Sequence, residues 1–422
     1  MSKTTLIIGA GLSGLVAANV LRKAGAAFTL IDSADAVGGR VRSDIIDGFT
    51  LDRGFQVLLD SYPSVKQFLD LPALAPRYFD SGALLADKGD FFRLLHPLRH
   101  PDWFASTALT PAFSWSDKFA LLSLVAGCIA HSDASILGRV NASDETTKAL
   151  LKRTGISEAM IERFIRPFFG GVFLDDSLET SAALFRYYLK KFALGRVLIP
   201  SGGMGAISSQ LATRLPSESL RLNVRIDHLE IAGSRAIAAV AASGERIEAD
   251  EFILATDEIS SCQLLGHPAA ARPALGVTTI YLKSRQSMYT GGLLVLPSTN
   301  PSRLTTHLVQ ISNVAPELAP PPWHLISVTV LHPGALTDAE LSTRVIEEVG
   351  DIFTEVRGHL EPLHVVRTPY GQFVQHPDVP PMIRGLTIPE NLRLAGDQVG
   401  TASIESAMSA GANAATTVLA GR

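Results

Sequence analysis

The sequence predicts an α/β fold. A Rossmann-like unit opens the chain, and a mixed β-sheet and helical region fills its middle. Three observations predict this. A short β-branched run, Thr5 to Ile8, leads at once into three glycines and a helical, alanine- and leucine-rich stretch. A second strand–glycine–helix run occupies residues 391–415. Between them, 61–195 reads as mostly helical, and 266–385 carries alternating segments of strand type.

The first unit is Rossmann-like. Gly9, Gly11 and Gly14 form GxGxxG, Leu12 to Ala24 is helical in pattern with Gly25 as its stop, and Phe28 to Ile31 is a second strand ending in Asp32. Gly9 permits the tight strand-to-helix turn, Gly11 lets the backbone approach a pyrophosphate, and Gly14 lets helix and strand pack closely. The helix start at Leu12 and Ser13 presents N–H groups to the diphosphate. Asp32 falls 18 residues after Gly14, placed with Ser33 to meet an adenosine ribose hydroxyl. An acid there disfavours a phosphorylated ribose. The alternative, a glycine-rich turn without a ligand, does not account for strand, glycines, helix, strand and acid falling in order.

Gly38, Gly39 and Arg40 come next. Paired glycines expose backbone N–H groups and an arginine complements a diphosphate. The first unit followed by Gly38-Gly39-Arg40 resembles the N-terminal signature of the flavin amine oxidases, a superfamily that includes protoporphyrinogen oxidases and phytoene or carotenoid desaturases. The resemblance implies FAD, with Gly38, Gly39 and Arg40 along its pyrophosphate and flavin. Leu51 to Gln56 resembles the family's Asp-x-Gly stretch beside the isoalloxazine, which makes Gln56 a substrate-side candidate; the same residues also read as a plain hairpin.

A second signature lies near the C-terminus. Leu392 to Ala395 is a short strand ended by Gly396 and Asp397, and Ser403 to Ala415 is a helix of small residues. Asp397 is placed to accept from ribityl or pyrophosphate-side hydroxyls. Backbone N–H groups at Ser403 and Ile404 would face the flavin pyrimidine oxygen, where charge grows on reduction. In form, SIESAMSAG is closer to the desaturase-like branch than to monoamine oxidases. The resemblance also gives Val224 a backbone contact with adenine, although Val224 reads equally well as core. Phe252 to Asp257 then returns to the same domain. The resemblance implies that the FAD-binding domain is discontinuous and comprises 1–60, 196–265 and 386–422.

Helices are expected at Ser64–Leu69, at Ser116–Ala130 with Ser114 or Ser116 as cap, at Asp144–Lys152, and at Ser157–Ile165 with Pro167 ending it. Another opens at Ser177 or Thr180 and runs to about Ala193. The phenylalanines of this region are core, with any excess fitting an apolar tunnel. Leu198 to Ala206 resembles the family's Pro-x-Gly-Gly-Met element. Strands are expected at Val277–Leu282, Leu293–Leu296, His307–Ser312 and Leu325–Val330, and a helix at Asp338–Val349, capped by Thr337 with Glu340. In the resembled family the stretch Val365 to Pro377 supplies an aromatic facing the flavin; Tyr370 and Phe373 are the candidates, each with core as its alternative. Arg367 either offsets a carboxylate or faces solvent.

Composition narrows the chemistry. Across 422 residues, 37 basic side chains meet 41 acidic ones, for a net charge of -4. No extended basic field exists, so nucleic acid is not an expected partner. Two cysteines exclude a disulfide scaffold, an all-cysteine zinc site and a four-cysteine iron–sulfur site, no metal is expected, and the count fits a reducing, cytoplasmic setting. The 11 histidines are scattered, with no HExxH and no GxSxG. The chain is apolar, with mean hydropathy +0.22. Its longest apolar run, Phe119 to Ala130, is 12 residues, too short to cross a bilayer. The N-terminal run imitates a signal peptide but lacks a cleavage context. Phe91–Trp103 and Phe113–Ala130 fit either peripheral membrane contact or buried helices with a basic edge.

The expected reaction is therefore hydride transfer from an apolar small-molecule substrate to flavin N5, with oxygen or a quinone as acceptor. The alternatives are amine oxidation by oxygen and flavin-dependent isomerisation. Amine oxidases of the resembled superfamily hold a lysine near N5; Lys283 follows the strand Val277–Leu282, but its neighbours do not match that motif. No second strand–GxGxxG–helix unit occurs, so a nicotinamide-dependent reductase is not expected. The sequence leaves the oligomeric state open.

Overall fold

Thr5–Ile8 is buried along its whole length. It pairs in parallel with Phe28–Ile31 on one side and Glu251–Leu254 on the other. Leu220–Arg221 and Leu392–Leu394 complete the sheet at its two edges, also in parallel. Strands from three remote segments thus form one five-stranded sheet. Parallel strands are covered on both faces, which explains their unbroken apolar runs. The computed structural model describes residues 3–87, 89–95, 99, 112–140, 144–268, 272–298, 300, 302–379 and 386–421.

Helices Leu12–Lys23 and Ile404–Ala420 lie together on one face of this sheet. They approach so closely that a Cβ at Gly411 would overlap the Ser13 carbonyl. The Ser13 hydroxyl donates to the Ala407 carbonyl at 2.7 Å. The opposite face is covered by a small antiparallel sheet, Ile226–Ala232, Arg235–Ala241 and Arg246–Glu248, which packs Leu229, Ala236 and Ala239 onto Leu6, Ile8 and Phe252. Its last two strands are joined through Gly244 at φ 86°.

The larger sheet has seven strands in the order Glu361–Phe373, Ala274–Ser284, His324–Val330, Thr305–Val309, Leu294–Pro297, Gly82–Asp87, Asp90–Leu95. Only the Leu294–Pro297/Gly82–Asp87 pair is parallel. Gly82–Asp87 and Asp90–Leu95 therefore pair antiparallel on this sheet, inside the stretch expected to be mostly helical. The long Asp338–Ile352 helix covers one face, with Leu341, Val345 and Val349 against Ile280, Ile326 and Val328. Thr337 and Glu340 form the expected capping box. The other face looks toward the helical segments and the parallel sheet.

Several helix ends differ from expectation. Trp115–Ala130 is capped by Ser114, in a capping box with Asp117 rather than from Ser116. Ala182–Leu194 starts at Ser181, whose hydroxyl accepts from the Leu184 N–H, and not at Ser177 or Thr180. Pro167 does not end a helix. Glu158–Met160 widens into a π-turn at Ile161–Ile165 and continues as Arg166–Phe173. The wide turn accommodates a residue with no N–H to donate. The phenylalanines of these helices pack on one another, Phe169 tilted against Phe185 with ring centroids 4.5 Å apart and Phe168 edge-on to Phe192 at 5.1 Å; Phe169, Phe173 and Phe185 are core, and Phe168 and Phe192 are half-buried.

Candidate active site

The glycine turn is built as the spacing demands. Gly9 has φ 107°, and a Cβ there would lie 2.6 Å from the Ala255 carbonyl; one at Gly14 would overlap the Gly9 carbonyl. Gly11 differs: nothing lies within 4 Å of where its Cβ would be. Across from it, a Cβ at Gly39 would meet only the Gly11 Cα, at 3.6 Å. Gly11 and Gly38 form a parallel bridge, and the Gly38 N–H donates to the Ala10 carbonyl at 2.9 Å. The two glycine loops thus run side by side with an open strip above them. The helix starting at Leu12 has no side-chain cap and no acid in its first turn, so its N-terminal end is arranged for an anion. These features fit a dinucleotide diphosphate. Ser13 and Leu12 are buried, so any contact from them is through backbone.

Asp32 braces this turn. Its carboxylate accepts from the Ala10 N–H at 2.6 Å and the Ala34 N–H at 2.8 Å. Each oxygen keeps a second lone pair for a ribose hydroxyl. The Asp32 carbonyl accepts from the Val224 N–H at 2.8 Å, so Val224 has its N–H engaged and is half-buried against the core of the small sheet. Ser33 is exposed.

At the other end, Arg40 joins the two signatures. Its guanidinium donates to Asp397 at 2.7 Å and to the Gly371 carbonyl at 2.9 Å. Burial opposes its charge most strongly, but Asp397, together with Tyr370 and Asp257, holds the pKa above its ordinary value. The Tyr370 ring lies 5.4 Å from this guanidinium. Burial raises the Tyr370 pKa, and its hydroxyl has no hydrogen-bond partner. Gly396 takes φ 148°, which turns the chain into Asp397. Ser403 caps the Ile404–Ala420 helix by accepting from the Ser406 N–H at 3.0 Å. Glu405, in that helix's first turn, is bound by the N–H and hydroxyl of Ser64, and burial raises its pKa.

Other candidates fall elsewhere. Phe373 is fully buried, with the Arg272 guanidinium 3.6 Å from its ring centroid, and takes the core alternative. Arg367 is exposed and donates to Asp338 at 2.7 Å and to the Leu336 carbonyl, away from the site on the outer side of the sheet. Gln56 donates to the Arg40 carbonyl at 2.8 Å, and its side-chain oxygen is buried without a partner. Lys283 pairs with Glu361 at 3.4 Å and lies over Trp323, beyond the bulge in its strand.

Four further residues frame the site, and three of them were not legible in the sequence. Tyr188 reaches the Ala402 carbonyl at 3.3 Å, and Gln375 accepts from the Ala402 N–H at 2.9 Å. Arg272 joins the buried Glu258 to the Gln398 carbonyl. Asp52 accepts from Ser43 and from the Met204 N–H, fastening the hairpin Ser43–Asp52 to the Gly202-Gly203-Met204 turn. Burial lifts the Asp52 pKa to about 6 against the pull of those two donors. No local pattern marks Tyr188, Gln375 or Arg272; Asp52 alone carried a signal, through its place in the Asp-x-Gly stretch. Among the described residues no cluster of metal-ligating side chains occurs.

A parallel sheet with an open glycine-lined groove, joined to an arginine–carboxylate pair under a second sheet, fits the class of nucleotide-cofactor oxidoreductases. The family described as flavin containing amine oxidoreductase matches residues 12–419, and the chain belongs to it. It is a flavin-dependent oxidoreductase. Hydroxysqualene dehydroxylase of Rhodopseudomonas palustris is 27% identical over 446 aligned positions covering 100% of this chain and 99% of that protein. Phytoene dehydrogenase of Streptomyces griseus is 26% identical over 62% of this chain and 55% of its own length. Among solved structures, a protoporphyrinogen oxidase-like protein from Exiguobacterium sp. superposes with TM-score 0.76 at 18% identity over 100% of both chains, a likeness of fold.

Proposed function

We propose that the protein is an FAD-dependent oxidoreductase that oxidises or desaturates an apolar substrate. The observation that carries this is the open strip over Gly11 and Gly39, leading to the Arg40–Asp397 pair beneath Tyr370. In this reading the diphosphate rests on the backbone of Gly9, Gly11, Leu12, Ser13 and Gly14, with Gly38, Gly39 and Arg40 opposite. Asp32, Ser33 and Val224 meet the adenosine end; Gly396, Asp397, Ser403 and Ile404 meet the flavin end. The FAD part is 1–60, 196–265 and 386–422, and the other segments form the substrate side. When bound, FAD supplies two-electron oxidation, taking a hydride from the substrate. The protein orients both partners, excludes water with the buried sheet face, and holds positive charge at Arg40. Two relatives named for action on hydroxysqualene and phytoene support an apolar substrate. Oxygen or a quinone is the proposed acceptor. The placement of Lys283 favours this over amine oxidation. Anaerobic titration of the flavin-loaded protein with apolar polyenes, amines and porphyrinogens tests it. Lasting bleaching by a polyene is expected; bleaching by amines alone, or isomerisation without bleaching, would overturn it.

A specific observation favours peripheral membrane contact. Trp115, Phe119, Leu122 and Ile129 lie on one face of the Trp115–Ala130 helix and are 57%, 67%, 56% and 43% exposed. Buried helices were the alternative, and this stripe is not buried. Phe91 of the neighbouring candidate segment is also exposed; 96–98 and 100–103 lie outside the described residues. No described helix is long and apolar enough to cross a membrane.

A further inference from the structure

The inward face of the seven-stranded sheet carries polar groups that folding does not explain. His307 pairs across the sheet with Thr329, and Thr329 pairs with Thr279. Directly opposed residues on adjacent strands share a face, with Cβ atoms about 5 Å apart. The three side chains therefore form one row over three strands. All are buried: His307 is 4% exposed, Thr329 2% and Thr279 0%. Neither ring nitrogen of His307 and neither threonine hydroxyl has a hydrogen-bond partner. The Pro167 carbonyl lies close enough to favour protonation slightly, without forming a hydrogen bond to the ring. On the other face of the same strands stand Ile280, Val328 and Leu308, all aliphatic. Buried polar groups are nearly always paired, so three neighbours without partners in one row mark a place for something else.

The row is roofed by parts of the site already described. The Phe55 ring stands edge-on to His307 at 5.4 Å. A Cβ at Gly54 would lie 4.0 Å from the Thr279 hydroxyl. Gly171 abuts the imidazole so closely that any side chain there would strike it. The next residue of the roof is Gln56, which holds the Arg40 carbonyl. The row and the cofactor end thus share one turn of chain. The cavity beside Asp52, Phe55, Gln56, Tyr281 and Ser327, which the three row residues do not line, is about 10 Å³, enough for a single water.

We propose that the substrate is apolar except for one neutral oxygen function, a hydroxyl or carbonyl, and that His307, Thr329 and Thr279 receive it. The inference rests on the oxidoreductase reading above and narrows its substrate class. The chemistry of the row supports neutrality. Burial lowers the His307 pKa to about 4, so the imidazole is uncharged near neutral pH, with one donor and one acceptor nitrogen. A carboxylate would find no cation in the row. An ammonium would be desolvated among groups that carry no charge, which is unfavourable. The carboxylate of Asp52, whose carbonyl accepts from Tyr281, is held by Ser43 and Met204. A pure hydrocarbon would leave all three groups unpaired. A hydroxyl both donates and accepts, as a threonine–histidine row requires.

The test uses flavin-loaded protein and three probes of one skeleton: farnesol, farnesene and farnesylamine. Each is titrated anaerobically while flavin absorbance is followed. Farnesol is expected to bind at least about tenfold more tightly than the other two, because a site built to bond an oxygen rejects analogues that lack it. Thr329→Val and Thr279→Val are close in shape, remove only an unpartnered hydroxyl, and are expected to melt like the parent. Each is expected to weaken farnesol binding about tenfold while farnesene binding stays the same. Equal binding of farnesene and farnesol, tightest binding of farnesylamine, or unchanged farnesol affinity in both variants would overturn the inference; so would flavin-loaded protein that responds to none of the three. A protein that takes up no flavin would instead sink the oxidoreductase reading.

Discussion

Two buried titratable side chains tilt the stability of this protein in opposite directions. Asp52 moves from an ordinary pKa of 3.8 to about 6 on burial. Between those values the folded protein holds a proton that the unfolded chain has lost. Its contribution is complete below about pH 4 and disappears as the pH rises through 6. His307 moves from 6.5 to about 4, also through burial. Here the unfolded chain holds the extra proton, so stability is gained as the pH rises from 4 through 6.5. Each shift of about two units corresponds to roughly 3 kcal/mol. The two nearly cancel between pH 4 and 6.5. Asp52→Asn keeps an acceptor oxygen for Ser43 and Met204 while removing one partner of this balance. Thermal melts should then show a variant equal to the parent near pH 4 and about 1–3 kcal/mol more stable at pH 8. Its stability should climb with pH where the parent's is nearly flat. Parallel curves would mean that Asp52 ionises as it would in water. Neither shift was legible in the sequence, because burial depends on strands far apart in the chain.

At the scale of elements, the glycine turn separates space for a ligand from space for the fold. The sequence assigned different roles to Gly11 and Gly14, and the geometry gives them opposite surroundings. Gly11→Ala places a methyl in the open strip at φ -71°, which any residue adopts. It should melt like the parent without cofactor and lose flavin on gel filtration. Gly14→Ala drives a methyl into the Gly9 carbonyl and should cost about 3 kcal/mol or more, with or without flavin. Equal flavin retention by Gly11→Ala and the parent would remove the diphosphate from this groove. This turn was readable because strand, glycines and helix lie within thirty residues and obey local rules. Helix starts were less so: Ser114 and Ser116 were both plausible caps, and Asp117 decided for Ser114 because its carboxylate also receives the Ser157 N–H and hydroxyl from a distant helix. Ser114→Ala should lower stability by about 1 kcal/mol in chemical denaturation, and Ser116→Ala by much less.

For the whole molecule, the parallel sheet was legible although its strands come from the beginning, middle and end of the chain, since each carries its own turn or helix signature. The seven-stranded sheet was legible only in its central strands. Gly82–Asp87 and Asp90–Leu95 join it through one parallel pairing to Leu294–Pro297, a choice no local pattern announces. The polar row was hidden for the same reason: His307, Thr329 and Thr279 are neighbours only once three strands are in register. The exposed helix Trp115–Ala130 raises the last question at this scale. It buries only Asp117 and Cys128 fully, and sets aromatic and aliphatic side chains into solvent along one side. An apolar substrate dissolves in lipid and not in water, so a face that rests on a bilayer would place the enzyme where its substrate is concentrated. Phe119→Glu with Leu122→Glu puts two carboxylates at exposed positions of the stripe without touching a described core residue, so folding and flavin content should be those of the parent. The parent is expected to float with liposomes at low salt and the double variant to remain in the aqueous fraction. Against substrate carried in liposomes the variant should lose turnover, while against detergent-dissolved substrate it should match the parent. Equal flotation of both proteins would assign the stripe no part in lipid binding.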